Sequence, residues 1–262
     1  MKVLLLNSSS RTGGNTGRVL NLYEESFAAL AEEFRIPIET ERIDLARLEL
    51  KTCLGCRACF DRGETKCPCK DGLLLLRDRL LAADGYVLAS PVYVEDVNGV
   101  MKNWIDRMAF TSHRPAFYGK GALLLTTSGI GSSNHALSTM RTAFGTWAIR
   151  TVGWQKFRLG ALTEPDEIRC RYQKTIRRSA RRFIRTLDKK PFRPSFYSLV
   201  AFTVQQAYWR KNEACFHTFD HAFWQEAGWL DSGRWYYDGS AARSPRALAA
   251  RMFGKLVSLF LG

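Results

Sequence analysis

No stretch of this 262-residue chain approaches the 18 consecutive apolar residues of a membrane-spanning helix. The apolar run after Met1-Lys2 stops at Leu6, too short for a secretory core, so the expectation is a cytoplasmic protein. Disulfide scaffolding is excluded as well: of only seven cysteines, five fall between Cys53 and Cys69. In a reducing compartment such a cluster reads as metal-binding or catalytic. The four histidines form no His-Glu-x-x-His motif, although His217 and His221 are spaced to share a helix face, and no Gly-x-Ser-x-Gly elbow is present. There is no internal repeat. At 46% hydrophobic and 24% charged residues, the composition excludes disordered and collagen-like chains.

What is present is an alternation. Apolar runs at 2–6, 86–90 and 121–127 have the length of buried strands, 36–43 is β-like, and 154–161 reads as a fifth strand. Helical patterns lie between and after them, over 16–34, 72–83, 98–110, 132–149 and 166–187. Continuous apolar strands alternating with helices predict a parallel sheet covered on both faces. Five such units fit an open doubly wound α/β sheet spanning residues 1–188. Beyond a Lys-Lys-Pro linker, 189–262 reads as a helical, aromatic-rich appendage.

The first strand ends in Asn7-Ser8-Ser9-Ser10-Arg11-Thr12-Gly13-Gly14-Asn15-Thr16, followed by a helix. Backbone N–H groups, hydroxyls and a helix N-terminus beyond a parallel strand favour a phosphate. The loop has neither the Gly-Lys-Ser/Thr of a Walker A motif nor a Gly-x-Gly-x-x-Gly fingerprint, and without the P-loop lysine it suits a terminal monophosphate. The alternative is a Ser/Gly turn with Thr16 as helix cap.

This loop resembles the Gly-Ser-Pro-Arg-x-x-Gly-Asn-Thr loop of the flavodoxin-like NAD(P)H-dependent FMN reductase family. Ser9, Arg11, Gly14, Asn15 and Thr16 match, whereas Ser8 and Ser10 stand where Gly and Pro are usual. Ser90-Pro91-Val92-Tyr93, with Lys102 and Asp106-Arg107 downstream, and Thr126-Thr127-Ser128-Gly129 are similar to two further family segments in the same order. The resemblance covers about the first 150 residues and implies a flavodoxin-like fold that binds FMN. The implied FMN residues are Ser9, Arg11, Gly14, Asn15, Thr16, Pro91, Val92, Tyr93, Thr127, Ser128 and Gly129. Lys102, Asp106 and Arg107 read instead as fold-supporting ion pairs. The flavin carries the chemistry in such enzymes, so no side chain is assigned as catalytic acid or base.

The run Cys53-Leu-Gly-Cys56-Arg-Ala-Cys59-Phe-Asp-Arg-Gly-Glu-Thr-Lys-Cys67-Pro-Cys69 places soft ligands at short spacing. Three cysteines at successive threes followed by Cys-Pro are ferredoxin-like spacing for a 4Fe–4S cluster, whereas structural zinc prefers two separated knuckles. The segment resembles the compact motif of iron–sulfur flavoproteins, a branch of the same family. Cys53, Cys56, Cys59 and Cys67 are the implied ligands, with Cys69 the alternative fourth; zinc and metal-free thiols stay open. Cys170 and Cys215 lie apart and read as structural.

The resemblance implies hydride transfer from NAD(P)H to FMN and onward transfer to an acceptor such as a quinone, a small molecule or a protein, through the cluster if one is bound. It also implies a homodimer or larger assembly, because relatives complete the flavin edge with a neighbouring subunit. No nicotinamide motif is present, which keeps a nicotinamide-independent electron carrier as the alternative. The charge suggests a third class. Residues 150–262 hold 21 Lys and Arg against 9 Asp and Glu, most of the chain's net +14. Nucleic-acid binding would follow from such a balance, but no module signature accompanies it. Clustered aromatics beside arginines also suit a weak membrane-surface element. Arg246, Arg251 and Lys255 scatter around the last helical pattern, so the expectation is that the appendage packs on the sheet or on a second subunit.

Overall fold

The continuous apolar runs become the inner strands of one sheet. The structure is a computed structural model that describes residues 1–11, 13–189, 193–211, 218–239 and 244–260. Strand β1 (Lys2–Asn7) leads into α1 (Asn15–Phe34), then β2 (Glu39–Asp44), α2 (Ala58–Asp61) and α3 (Leu73–Ala82). Strand β3 (Gly85–Tyr93) hairpins into the two-residue β4 (Asp96–Val97), followed by α4 (Gly99–Arg107) and α5 (Phe110–His113). Then come β5 (Gly121–Ser128), α6 (Asn134–Thr146), β6 (Arg150–Arg158) and α7 (Pro165–Asp188). Helices α8 (Phe196–Lys211), α9 (Phe219–Glu226) and α10 (Pro245–Ser258) complete the chain.

The parallel strand order is β2-β1-β3-β5-β6, with β4 antiparallel on β3. This is the flavodoxin-like doubly wound order, whose direction reverses between β1 and β3. Side chains alternate between the two faces. Leu4, Leu6, Tyr86, Leu88 and Leu124 pack with α3, α4 and α6, whereas Val3, Leu5, Val87, Leu123 and Leu125 pack with α1 and α7.

Most boundaries shift by up to three residues, β2 starting at Glu39 and α6 ending at Thr146, and two elements differ more. The fifth strand begins at Arg150, and not at 154: as a sheet edge it buries only Val152 and Phe157, leaves the rest exposed or half-buried, and offers no apolar run to mark its start. The helix expected over 98–110 divides at Met108 into α4 and α5. At the edge, Arg150, Trp154, Lys156 and Arg158 are exposed. On the opposite edge, Glu39 and Glu41 are paired to Lys2, and Glu41 also to Arg79.

Helix α7 starts at Pro165 with Asp166 and Glu167 in its first turn and ends with Arg185 in its last, matching proline's fixed φ and the helix dipole. Several of its arginines are spent on α1: Arg169 pairs with Glu25, and Arg177 and Arg181 with Glu33. Cys170, read as structural, is exposed on this helix; Cys215 and His217 lie outside the described residues.

The aromatics of the C-terminal helices form a third core of Phe202, Trp209, Trp224, Trp229, Tyr236 and Tyr237. It docks on the sheet domain through Ala148, and a Cβ at Gly145 of α6 would come within 3.0 Å of the Tyr197 ring.

Candidate functional site

The eleven residues implied by the resemblance as FMN-binding line a single cleft of about 480 Å³, together with Ile130, Gly160 and Ala161. The cleft lies at the carboxyl ends of β1, β3 and β5, across the β1/β3 switch point. Its floor is the loop into α1. Gly14 is the N-cap of α1 and supplies no capping side chain, so the first-turn N–H groups are left for a ligand or water. A Cβ at Gly14 would sit 3.0 Å from Arg11 Cβ, so this position is kept clear by need of space.

Several loop side chains are committed to building the cleft. Thr16 Oγ1 and Thr127 Oγ1 share a hydrogen bond of 2.7 Å, tying α1 to the end of β5. The Asn15 amide donates to Gly160 O at 2.8 Å and accepts from Thr163 N–H at 2.9 Å, pinning the loop after β6. Asn98, which the sequence reading did not single out, donates to Ser8 O at 2.6 Å, accepts from Ser8 Oγ–H at 2.7 Å and caps α4. An Asn directly before a helix was the available signal. Tyr93 is half exposed and Ile130 almost wholly so, giving the cleft mouth an apolar rim.

That mouth depends on an unusual turn. Val94 and Glu95, which join β3 to β4, both have positive φ, 50° and 65°. A β-branched residue rarely adopts this conformation.

A second cavity, of about 370 Å³, is lined by Cys53, Cys56, Cys59, Cys67 and Cys69 with Phe60, Asp106 and Arg107 among others. All five cysteines are free thiols, Cys53 and Cys56 exposed and Cys69 buried. Among the described residues, no three His, Cys, Asp or Glu side chains are gathered closely enough to hold a metal ion. The donors thus share one cavity without converging on a point. Cys69 donates its thiol to Thr52 O at 3.5 Å. Burial raises the pKa of both the Cys59 and Cys69 thiols.

The cysteine segment has almost no regular structure and is held from outside. Arg107, buried at the end of α4, pairs with Asp71 at 2.6 Å and donates to Lys51 O at 2.6 Å and Cys69 O at 3.2 Å, joining both ends of the segment. Burial alone would lift the Asp71 carboxyl, but Arg107 and the N–H groups of Lys51 and Leu73 outweigh it and hold it below the usual range. Asn103 accepts from Cys53 N–H at 3.2 Å. Lys102 and Asp106 form an exposed pair at 2.6 Å, as expected of them.

A second clamp reaches from the C-terminal helices. Arg114 pairs with Glu64 at 2.7 Å, donates to Cys59 O at 3.1 Å and pairs with Asp220 of α9. Asp220 is 1% exposed and also bonds His113 Nδ1 at 2.6 Å. The His113 ring stacks on Phe60, centroids 4.3 Å apart. Burial, with Arg114 and Arg57 nearby, pushes its pKa down to about 4 and keeps the imidazole neutral. Phe219 presses on Gly63, whose φ of 91° suits glycine. His113 showed no partner in the sequence, since its partner lies 107 positions away.

Helix α4 serves both cavities. Asn98 at its start braces the β1–α1 loop and Arg107 at its end holds the cysteine segment, about 13 Å further along the axis for nine residues.

Comparison with known proteins agrees with this layout. The chain is 32% identical over 155 residues to an iron–sulfur flavoprotein of Archaeoglobus fulgidus, covering 59% of this chain and 67% of that one. It is 41% identical over 107 residues to the iron–sulfur flavoprotein MJ1083 of Methanocaldococcus jannaschii, covering 41% of this chain and 51% of that one. The chain therefore spans between half and two thirds of these relatives' length. Among solved structures, RosB superposes with a TM-score of 0.55 at 16% identity, covering 84% of this chain and 89% of RosB. The NADH:FMN oxidoreductase EMOB superposes at 0.51 and 19% identity, covering 72% and 91% respectively. These likenesses speak for the fold. Residues 1–160 match the model of the NADPH-dependent FMN reductases, and the chain belongs to that family of FMN-dependent oxidoreductases.

Proposed function

We propose that the chain is an NAD(P)H-dependent FMN oxidoreductase that passes electrons to an acceptor, and that its cysteine segment would hold a 4Fe–4S cluster supplying one-electron chemistry. The observation that carries the flavin reading is the convergence of all eleven strand-end residues on one cleft. In this reading residues 1–188 bear both centres and 189–262 brace them.

The residues fit FMN. The uncapped first turn of α1 and the Ser9 hydroxyl meet a phosphate, with Arg11 at the rim as counter-charge, while Thr16, bonded to Thr127, fixes the turn. Pro91, Val92 and Tyr93 supply one wall for a flat ring system, and the backbone of Thr127, Ser128 and Gly129 the facing approach. FMN, when bound, supplies the hydride-accepting chemistry. The half-exposed Tyr93 leaves the ring side of the cleft open, so a nicotinamide has access to it from solvent.

The thiols likewise suit iron and sulfide in number and softness. Cys53, Cys56, Cys59 and Cys67 would hold the cluster, with the exposed Cys53 and Cys56 turning inward. The hydrogen bond of Cys69 to Thr52 commits that sulfur to the chain and favours Cys67 as the fourth ligand.

Anaerobic purification with FMN should give a yellow protein that NADH or NADPH bleaches. Absence of flavin binding overturns the proposal. Binding without bleaching by either nucleotide turns it toward a pure electron carrier. Iron analysis should find about four irons per chain. Cys56→Ala should abolish the broad visible absorption while FMN stays bound, Cys67→Ala should do the same, and Cys69→Ala should not.

A further inference from the structure

The last helix is turned inside out for a soluble protein. Its buried residues are small: Ala247, Ala250 and Gly254 face α8, where a Cβ at Gly254 would lie 2.8 Å from Thr203 Cβ. Its large apolar residues are exposed, with Leu248 at 50%, Met252 at 66%, Phe253 at 51% and Leu256 at 54%. At about 100° per residue, Leu248, Met252, Leu256 and Phe253 fall at roughly 0°, 40°, 80° and 140°, one continuous arc opposite the small residues. Leu259 and Phe260, at the helix end, prolong the patch and are 77% and 81% exposed. Phe196 of α8 joins it, 6.4 Å from Phe253 between ring centroids. From Leu248 to Phe260 the patch runs about 18 Å.

Charge says what covers it. On the same wheel, exposed Arg246 and Lys255 lie at roughly 160° and 340°, just outside the two margins of the apolar arc. The scatter that argued against a basic face is a flanking arrangement. Long cationic stems in that position keep their charges at a polar surface while the arc between them is buried. Neither α8 nor α10 contains an aspartate or glutamate, and the chain carries net +14. A second copy would bring like charges together, whereas an anionic lipid surface offers both the apolar layer and the opposite charge. No helix among the described residues is long and apolar enough to cross a membrane, so the geometry is that of a helix lying in the interface.

We propose that α10 docks the protein reversibly on anionic lipid surfaces, with Leu248, Met252, Phe253 and Leu256 entering the bilayer interface between Arg246 and Lys255. The inference is independent of the flavin and cluster assignments. Full-length protein should sediment with phosphatidylglycerol–phosphatidylcholine vesicles, more strongly at low salt than at high, and only weakly with phosphatidylcholine alone. Phe253→Glu with Leu256→Glu should weaken partitioning by on the order of a hundredfold, about tenfold for each side chain no longer buried. Because both positions are exposed, the variant should keep the wild-type circular dichroism and melting temperature. Arg246→Gln with Lys255→Gln should remove most of the preference for anionic vesicles. Failure of the wild type to sediment, or equal sedimentation of the Glu variant, overturns the proposal. So does light scattering that shows a wild-type dimer which the Glu variant dissolves without any vesicle binding.

Discussion

The cleft at the strand ends and the cysteine cavity are built in opposite ways. The cleft takes its walls from consecutive positions at the ends of β1, β3 and β5, so the hydrogen-bonded sheet itself spaces them. The cysteine segment has only one short helix and a single 3-10 turn of its own and is gripped by residues from far along the chain. Arg107 holds it from 36 positions beyond Asp71, and Asp220 reaches it through Arg114. A sheet-borne site is buffered against the loss of any one contact. A clamped site is not, because each buried ion pair left half-made exposes an uncompensated charge to a low dielectric.

Arg107→Ala tests this contrast most severely. It should cost about 3–5 kcal/mol in denaturant unfolding, speed the reaction of the five thiols with a thiol reagent, and leave FMN binding in place. Acid should act on the same clasp reversibly. Asp71 titrates lower in the folded chain than the about 3.9 of an unfolded one. Its contribution is complete above that value and drains away as pH falls through the folded pKa. Unfolding free energy measured against pH should therefore fall below about pH 4, and fall less in Asp71→Asn, which has no carboxylate to protonate.

Asp220→Asn should cost about 2 kcal/mol and loosen the cysteine segment from the C-terminal side. Hydrogen exchange around Cys59 and Glu64 would report it, with the β1–α1 loop unchanged. Thr16→Val probes the cleft in return: losing the bond to Thr127 should cost about 1 kcal/mol and weaken FMN binding without altering thiol reactivity. Smallest, and opposite in sign, Val94→Asn should raise stability by up to about 1 kcal/mol by relieving a β-branched residue at positive φ. A fall in melting temperature would show that the turn is not strained.

The same contrast decides what could be read from residues alone. Strand-end loops follow apolar runs directly, so Ser9 to Thr16, Pro91 to Tyr93 and Thr127 to Gly129 could be placed on one edge before any coordinates. The same runs gave five strands in a doubly wound parallel sheet; their flavodoxin-like order was implied only by the family resemblance and is seen in the strand pairing. The cysteines were visible as a cluster, but Arg114, His113 and Asp220 were not, because no local pattern links positions about a hundred residues apart. The β3–β4 hairpin escaped because Val94-Glu95 has none of the Gly, Asn or Asp residues that usually mark positive φ. The wheel of the last helix could be drawn, but which side meets α8 depends on the close approach at Gly254 and Thr203.

The two margins of the sheet carry a consequence for solubility. An exposed edge strand invites another strand to add to it. Here the β6 edge shows Arg150, Lys156 and Arg158 to solvent, so two such edges repel. The β2 edge, whose Glu39 and Glu41 would attract β6 of a neighbour, has those carboxylates already engaged by Lys2 and Arg79. Neither a β6–β6 nor a β6–β2 contact between copies gains from charge, which disfavours strand addition at both margins.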